Sequence, residues 1–233
     1  MLGLAKGGFA GMGALSLPLI ALTISPVRAA AILLPVLIVQ DVVGVWAFRR
    51  DWDGRVLGWM LPGAMAGVAL GYGFAASVSS DAVLGAVGAV SILFGLYRLW
   101  VERRGGIPNA SRSRGWVGSL FGVASGFTSQ IAHAGQPPFQ LWVLPRRLPR
   151  DVLVGTTAIF FATVNWIKVP AYVALGQFSR ANLMTSALLV PVAIASTLAG
   201  VWLVRRVPAE RFYTAIYVLM IAVGGKLVWD ALV

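Results

Sequence analysis

Polar residues gather in one stretch of an otherwise apolar chain, Ser125-Gly-Phe-Thr-Ser-Gln-Ile-Ala-His-Ala-Gly-Gln-Pro-Pro-Phe139. Thr128, Ser129, Gln130, His133 and Gln136 are each costly in hydrocarbon unless a partner or a polar cavity receives them. Pro137 and Pro138 break the helical ladder and leave the carbonyls before them without donors. If a short helix restarts after the break, its free N–H groups and positive dipole end suit an oxyanion, with the backbone from Gly135 to Pro138 close to it. His133 is the only histidine, and its near-neutral ionisation fits proton coupling as well as a plain structural hydrogen bond.

Two ionisable residues lie inside other apolar runs, where such groups are functional candidates by default. Lys168, in Asn165-Trp-Ile-Lys-Val-Pro170, offers a cation to an anionic substrate, with Asn165 lining the same cavity. Asp41, beside Gln40 in the corresponding run of the first half, is a counter-ion or proton site. The structural alternatives are a Lys168 that snorkels to the interface and an Asp41 that caps a neighbouring helix. The first Gly/Pro break of the chain, Gly11-Met-Gly-Ala-Leu-Ser-Leu-Pro18, supplies Gly11, Gly13 and Ser16, suited to close backbone approach. Arg146, Arg147 and Arg150 either gather anions at a mouth or are solvated loop residues. Ser129 and His133 are four apart, as an intramembrane hydrolase dyad would allow, but no Gly-x-Ser-x-Gly nucleophile turn surrounds them.

The elements that must position these groups are membrane spans. The 233 residues are 58% hydrophobic and 12% charged, with a mean hydropathy of +0.82, about half the charge of a soluble domain. A spanning helix needs about 20 mainly apolar residues. Six runs qualify: 29–48, 56–78, 82–101, 152–175, 183–204 and 212–229, with two irregular stretches at 2–23 and 116–144. The first of these lacks the basic start and continuous apolar core of a signal peptide. The net charge of +11 sits in short knots between apolar runs rather than on one solvated face, which excludes nucleic acid as a partner. Without cysteine, and with one histidine, no metal or cofactor is expected, and a metal-cation permease would want more ligands.

A shift of 119 aligns Gly3, Gly7 and Pro18 with Gly122, Gly126 and Pro137, and a shift of 129 aligns Pro62, Gly71, Gly95 and Trp100 with Pro191, Gly200, Gly224 and Trp229. This reads as a duplication: a first repeat at 1–101, a basic linker at 102–115 and a second repeat at 116–233. Eight full spans divide the loop cations 11 to 7, whereas two re-entrant stretches divide them 14 to 4, obeying the positive-inside rule far better. The expected fold is therefore all-α and polytopic. It comprises two inverted repeats, each of one broken re-entrant segment plus three transmembrane helices. The alternative is eight spans, with Gly3/Gly7 and Gly122/Gly126 serving ordinary helix packing.

The glycine-rich break Gly7-Gly-Phe-Ala-Gly-Met-Gly-Ala-Leu-Ser-Leu-Pro18 and Gly126-Phe-Thr-Ser-Gln-Ile-Ala-His-Ala-Gly-Gln-Pro-Pro138, followed by Val154-Gly-Thr-Thr-Ala-Ile-Phe-Phe161, resemble the two signature regions of the sulfite exporter TauE/SafE family, over essentially the whole chain. The resemblance implies a multi-pass bacterial inner-membrane permease for small sulfur-containing anions such as sulfite, organosulfonates or sulfoacetate, usually exported. The family commonly shows His-Ala-Gly-Gly-Pro-Pro, so Gln136 replaces a glycine, as Ala14 does in the first break. The resulting expectation is a secondary anion transporter. Gly11, Gly13, Ser16, Ser129, Gln130, His133, Gly135, Gln136, Pro137, Asn165 and Lys168 line its site, Asp41 and His133 serve coupling, and the basic loops are cytoplasmic. No nucleotide motif points to ATP. The expected partners are the anion and the bilayer, with a homodimer compatible with a small permease; a structural or assembly role is the rival.

Overall fold

The computed structural model of the chain describes residues 12–104, 113–204 and 210–233; Gly11, Lys6 and the Gly3/Gly7 pair lie outside them. Among the described residues every regular element is helical. A 3-10 turn (Met12–Leu15) leads into α1 (Ser16–Ala21), followed by α2 (Pro26–Phe48), α3 (Gly54–Ser77) and α4 (Ser80–Arg103). The second half holds α5 (Gly115–Ala132), the short α6 (Gln136–Val143), α7 (Arg150–Ala174), α8 (Arg180–Val204) and α9 (Glu210–Leu232). The six runs expected to span coincide with α2, α3, α4, α7, α8 and α9. Among the described residues five of these, α2, α3, α4, α7 and α8, are long and apolar enough to cross a membrane. The chain is an all-helical polytopic membrane protein. α4 carries on through Glu102 and Arg103, and α6 is separated from α5 by a true break rather than a kink.

Local chemistry sets the helix ends. Asp53 caps α3 by accepting from Arg55 N (2.8 Å) and Val56 N (3.1 Å), and Ser79 caps α4 through Ala82 N (3.2 Å). α5 stops at His133, which takes the left-handed conformation (φ 49°); His133 N bonds Ser129 O (3.2 Å) and Ala134 N bonds Thr128 O (3.3 Å). Prolines at 137 and 138 then prevent α5 from continuing and open α6 instead.

The bundle is inverted relative to a soluble protein. Leu188 is 79% and Leu93 67% exposed, while Gln40, Asp41, Asn165 and Lys168 are buried. That distribution suits lipid outside and a polar centre within. α3 packs on α5 through glycines from both helices: a Cβ on Gly63 would sit 2.0 Å from Ser119 O, and one on Gly126 would sit 2.1 Å from Ala64 O. The small-residue packing expected as the alternative use of Gly122 and Gly126 is therefore real. It coexists with the break, because the glycines dock α5 and His133 ends it. α4 packs on α9, α2 on both α7 and α8, and α3 on α7.

α5 and α6 form a hairpin. Trp142, near the end of α6, lies over Gly118 in the first turn of α5, and Arg146 Nη2 donates to Ser113 O at 3.1 Å, so both outer ends of the hairpin meet. The same end of the bundle holds the α2–α3 turn, where Asp53 N donates to Thr156 Oγ1 of α7 at 2.9 Å. At the other end Arg28 Nε of α2 donates to Asn182 Oδ1 of α8 at 3.3 Å.

Candidate functional site

The break in α5 and the middle of α7 meet at Lys168, whose side chain is fully buried. Its Nζ lies 3.2 Å from Ser129 O, 3.2 Å from Ser129 Oγ and 2.8 Å from His133 Nδ1. An ammonium has three protons to donate, and Ser129 and His133 supply acceptors for them. Ser129 O belongs to the last turn of α5, at the negative end of its dipole, and receives the ammonium in addition to the His133 N–H, so the cation caps α5 inside the bundle. Lys168 does not snorkel to an interface.

His133 is fixed from both sides. Its Nε2 is 3.0 Å from the Ala30 carbonyl oxygen of α2. A carbonyl only accepts, so Nε2 carries the proton, leaving the Nδ1 lone pair to receive a proton from Lys168. Tyr172 stacks on the imidazole (centroids 6.3 Å apart, 26°) and donates through its hydroxyl to Gln130 O at 3.2 Å. Both ring nitrogens thus have partners other than Ser129, whose hydroxyl faces Lys168, and no Ser129–His133 dyad forms.

Asn165 lies one turn before Lys168 on the same face of α7, and its Nδ2 donates to Asp41 Oδ2 of α2 at 2.6 Å, with both side chains buried. Asp41 therefore joins α2 to α7 rather than capping a neighbouring helix. Gln130 is buried beside the cluster with Oε1 lacking a donor among the described residues. The signal for Tyr172 in the sequence is its spacing alone: Asn165, Lys168 and Tyr172 follow the i, i+3, i+7 spacing of one helix face. The Ala30 carbonyl carries no signature in the sequence at all.

Other expected site residues fall elsewhere. The N-terminus of α6 is a poorer oxyanion site than expected: of its first three residues Pro137 and Pro138 have no N–H, so Gln136 supplies the only such donor. Gly135 is packed tightly, a Cβ there meeting Ser125 O at 2.7 Å and Ser129 Cβ at 2.9 Å, and its carbonyl accepts from Ser125 Oγ at 2.7 Å. Gly13 sits in the 3-10 turn before α1. Ser16 is buried against a different cavity, of ≈ 280 Å³, which it lines with Gln40 between α1, α2 and α8. The two breaks do share one buried apolar cluster, with Ala14, Leu15 and Leu17 from the first and Ile131, Ala132 and Ala134 from the second. Arg146 is not a loose loop cation: its guanidinium lies 3.6 Å over the Trp142 ring and closes the hairpin. Burial holds its ionisation below the ordinary arginine value, and nearby Asp53 opposes that shift.

A lipid-facing helical bundle with a cation held at a broken helix defines a polytopic membrane protein built around a buried polar centre. The family model described as Sulfite exporter TauE/SafE matches residues 1–227, and the chain belongs to this family of membrane transporters, not to a class of enzymes. No curated protein and no solved structure matches the chain.

Proposed function

We propose that the chain is a secondary exporter of small sulfur oxyanions, such as sulfite or a short organosulfonate, and that it holds the anion at the Lys168–His133–Ser129 cluster. The observation that carries this reading is the fully buried ammonium held by Ser129 and His133 at the break in α5. An oxyanion leaving water loses several kcal/mol of solvation, and a resident cation in a low dielectric is the efficient compensation. By displacing Ser129 Oγ or His133 Nδ1 from Lys168 the anion takes over a charge-assisted hydrogen bond that already exists. Displacement frees the His133 Nδ1 lone pair to take up a proton, which links anion binding to a proton and accounts for a transporter without a nucleotide site. Asn165 and Asp41 hold α2 against α7 one turn away, with Asp41 as the counter-ion. Gln130 and Gln136 bring amides to the site, and the backbone at Gly135 and Pro137 packs beside it. Ala14, Leu15 and Leu17 bring the first break into the apolar cluster that it shares with the second.

The reading takes the chain as two inverted repeats, 1–101 and 116–233, joined by a linker. It is supported by the pairing of α2 with α7 and α4 with α9, and of α2 with α8 as α3 pairs with α7, as a two-fold in the membrane plane would give. Hairpin closure by Arg146 and Ser113 supports a re-entrant second break. Arg49, Arg50, Arg55, Arg114 and Arg147 accompany that end of the bundle, which fits a cytoplasmic face in a bacterial inner membrane.

The test is flux of labelled sulfite and methanesulfonate in proteoliposomes, wild type beside Lys168→Met. The expected result is saturable sulfur-anion flux, at least about tenfold lower in the variant, as for loss of a charge-assisted bond of about 1.5–3 kcal/mol. Wild-type vesicles without such flux, or a variant equal to wild type, would overturn the proposal.

A further inference from the structure

At the end of the bundle away from Arg146 a second cavity opens, of ≈ 510 Å³, lined by Ser25, Arg28 and Ala31 of the α2 end and by Gln177, Ser179 and Asn182 around the start of α8. We infer that this cavity is an anion port, with Arg28 as the residue that receives a small sulfonate-like oxyanion on that side. The inference rests on the transport reading above and adds to it the location of the far opening.

Arg28, an exposed side chain, is tied to α8 through its Nε. Its Nε donates to Asn182 Oδ1 at 3.3 Å, and Asn182 is itself held by Nδ2 donating to Gln177 O at 2.9 Å and by its N–H donating to Ser179 Oγ at 3.2 Å. The two terminal nitrogens of Arg28 have no acceptor among the described residues, and no carboxylate lines the cavity. A guanidinium clamped through Nε presents its remaining fork as a ready-made oxyanion receptor.

The charge here runs against two ordinary preferences. Helix N-termini favour Asp and Glu in the first turn, yet α2 and α8 both begin at this cavity, neither has an acidic residue in its first turn, and Arg28 and Arg180 stand there instead. Loops on this side are also poor in cations. Lys226, near the same end, is neutralised by Asp230 on its own helix. An arginine fork between two positive helix ends is unfavourable until an anion arrives. With each water occupying about 30 Å³, the cavity holds on the order of fifteen waters, so the anion is received hydrated rather than stripped. Ala31 in its wall follows Ala30, whose carbonyl anchors His133, and Tyr172 stacks between His133 and Phe178 of the α7–α8 turn. The port thus abuts the buried cluster.

The native chain has no cysteine, so a single Ala181→Cys in nanodiscs reports the local potential cleanly. The probes are an anionic sulfonatoethyl and a cationic trimethylammonioethyl methanethiosulfonate, read as the ratio of their reaction rates. The expected ratio favours the anionic reagent and falls about tenfold when Arg28→Gln is added, within the range of electrostatic steering. Sodium methanesulfonate should slow the anionic reagent in the Arg28 background more than the same concentration of sodium chloride does. Asn182→Ala, which keeps the charge but releases the clamp, should retain most of the ratio and lose that competition. A ratio indifferent to Arg28→Gln, or equal slowing by both salts, would overturn the port. Because neither readout needs flux, a wild-type protein that passes here and yet moves no sulfur anion would count against the transport reading alone.

Discussion

Gly126→Ala is the substitution whose effect follows most directly from the packing. The new methyl carbon would lie 2.1 Å from Ala64 O, 2.8 Å from Ala64 C and 2.9 Å from Ala64 Cα, all backbone atoms of α3 that no rotamer change can move. Ordinary contact begins at 3.4 Å, so the helices must part by about 1.3 Å at this point. Ser129 lies one turn further along α5 and holds Lys168 at 3.2 Å through two oxygens, so a shift of that size breaks both bonds. Overpacking costs about 1–3 kcal/mol, the lost bonds to a buried charge about 1.5–3 kcal/mol, and the better helix propensity of Ala returns roughly 1 kcal/mol. The net loss is about 3 kcal/mol, a drop of roughly 6–12 °C in melting temperature for a chain of this size. Gly225→Ala is the internal control, since nothing lies within 4 Å of its Cβ position. Thermal unfolding of both purified variants decides the matter. If Gly126→Ala melts within about 2 °C of Gly225→Ala, the close glycine seam between α3 and α5 is refuted.

Asn165→Leu removes the donor at 2.6 Å from Asp41 Oδ2 and should lower thermal stability by about 1.5–3 kcal/mol, with part of the loss recovered when Asp41→Leu is added. Full additivity of the two substitutions would show that the residues do not interact. Single cysteines placed by Ser113→Cys and Arg147→Cys should react with an impermeant reagent from one side of the membrane and Gln177→Cys from the other; labelling of the first two from opposite sides would favour a full crossing over the hairpin. His133→Gln preserves a donor toward Ala30 O and an acceptor toward Lys168, so the protein should fold while its flux loses its dependence on pH. An unaltered pH profile would remove His133 from coupling.

Much of the fold was legible because lipid imposes few solutions. Each apolar run of about 20 residues must be a helix, and six such runs became six helices. The break at 133–138 was legible through its prolines and its clustered polar side chains. The partners of those side chains were not. Nothing in the residue types says that Lys168 reaches the last turn of α5, because that contact depends on how far α7 slides against α5. The anchoring of His133 by a backbone carbonyl is likewise invisible in a chain of side-chain letters. Ser16 shows the opposite case: a serine in a symmetric-looking break was expected at the shared site, but α1 places it in the lining of a separate cavity with Gln40 and residues of α8. Two prolines at the head of α6 disrupted the expected oxyanion site by the same property that marked the break.

The central claim is that the buried ammonium of Lys168 receives the anion, and equilibrium binding tests it without requiring turnover. Calorimetric titration of sodium sulfite into purified wild type, Lys168→Met and Lys168→Arg, each first shown to be folded by its melting transition, should give saturable binding to wild type. The account predicts affinity at least about tenfold weaker in Lys168→Met, the equivalent of 1.4 kcal/mol, and intermediate in Lys168→Arg, which keeps the charge but not the compact geometry. Sulfite binding of equal affinity to wild type and Lys168→Met would contradict it.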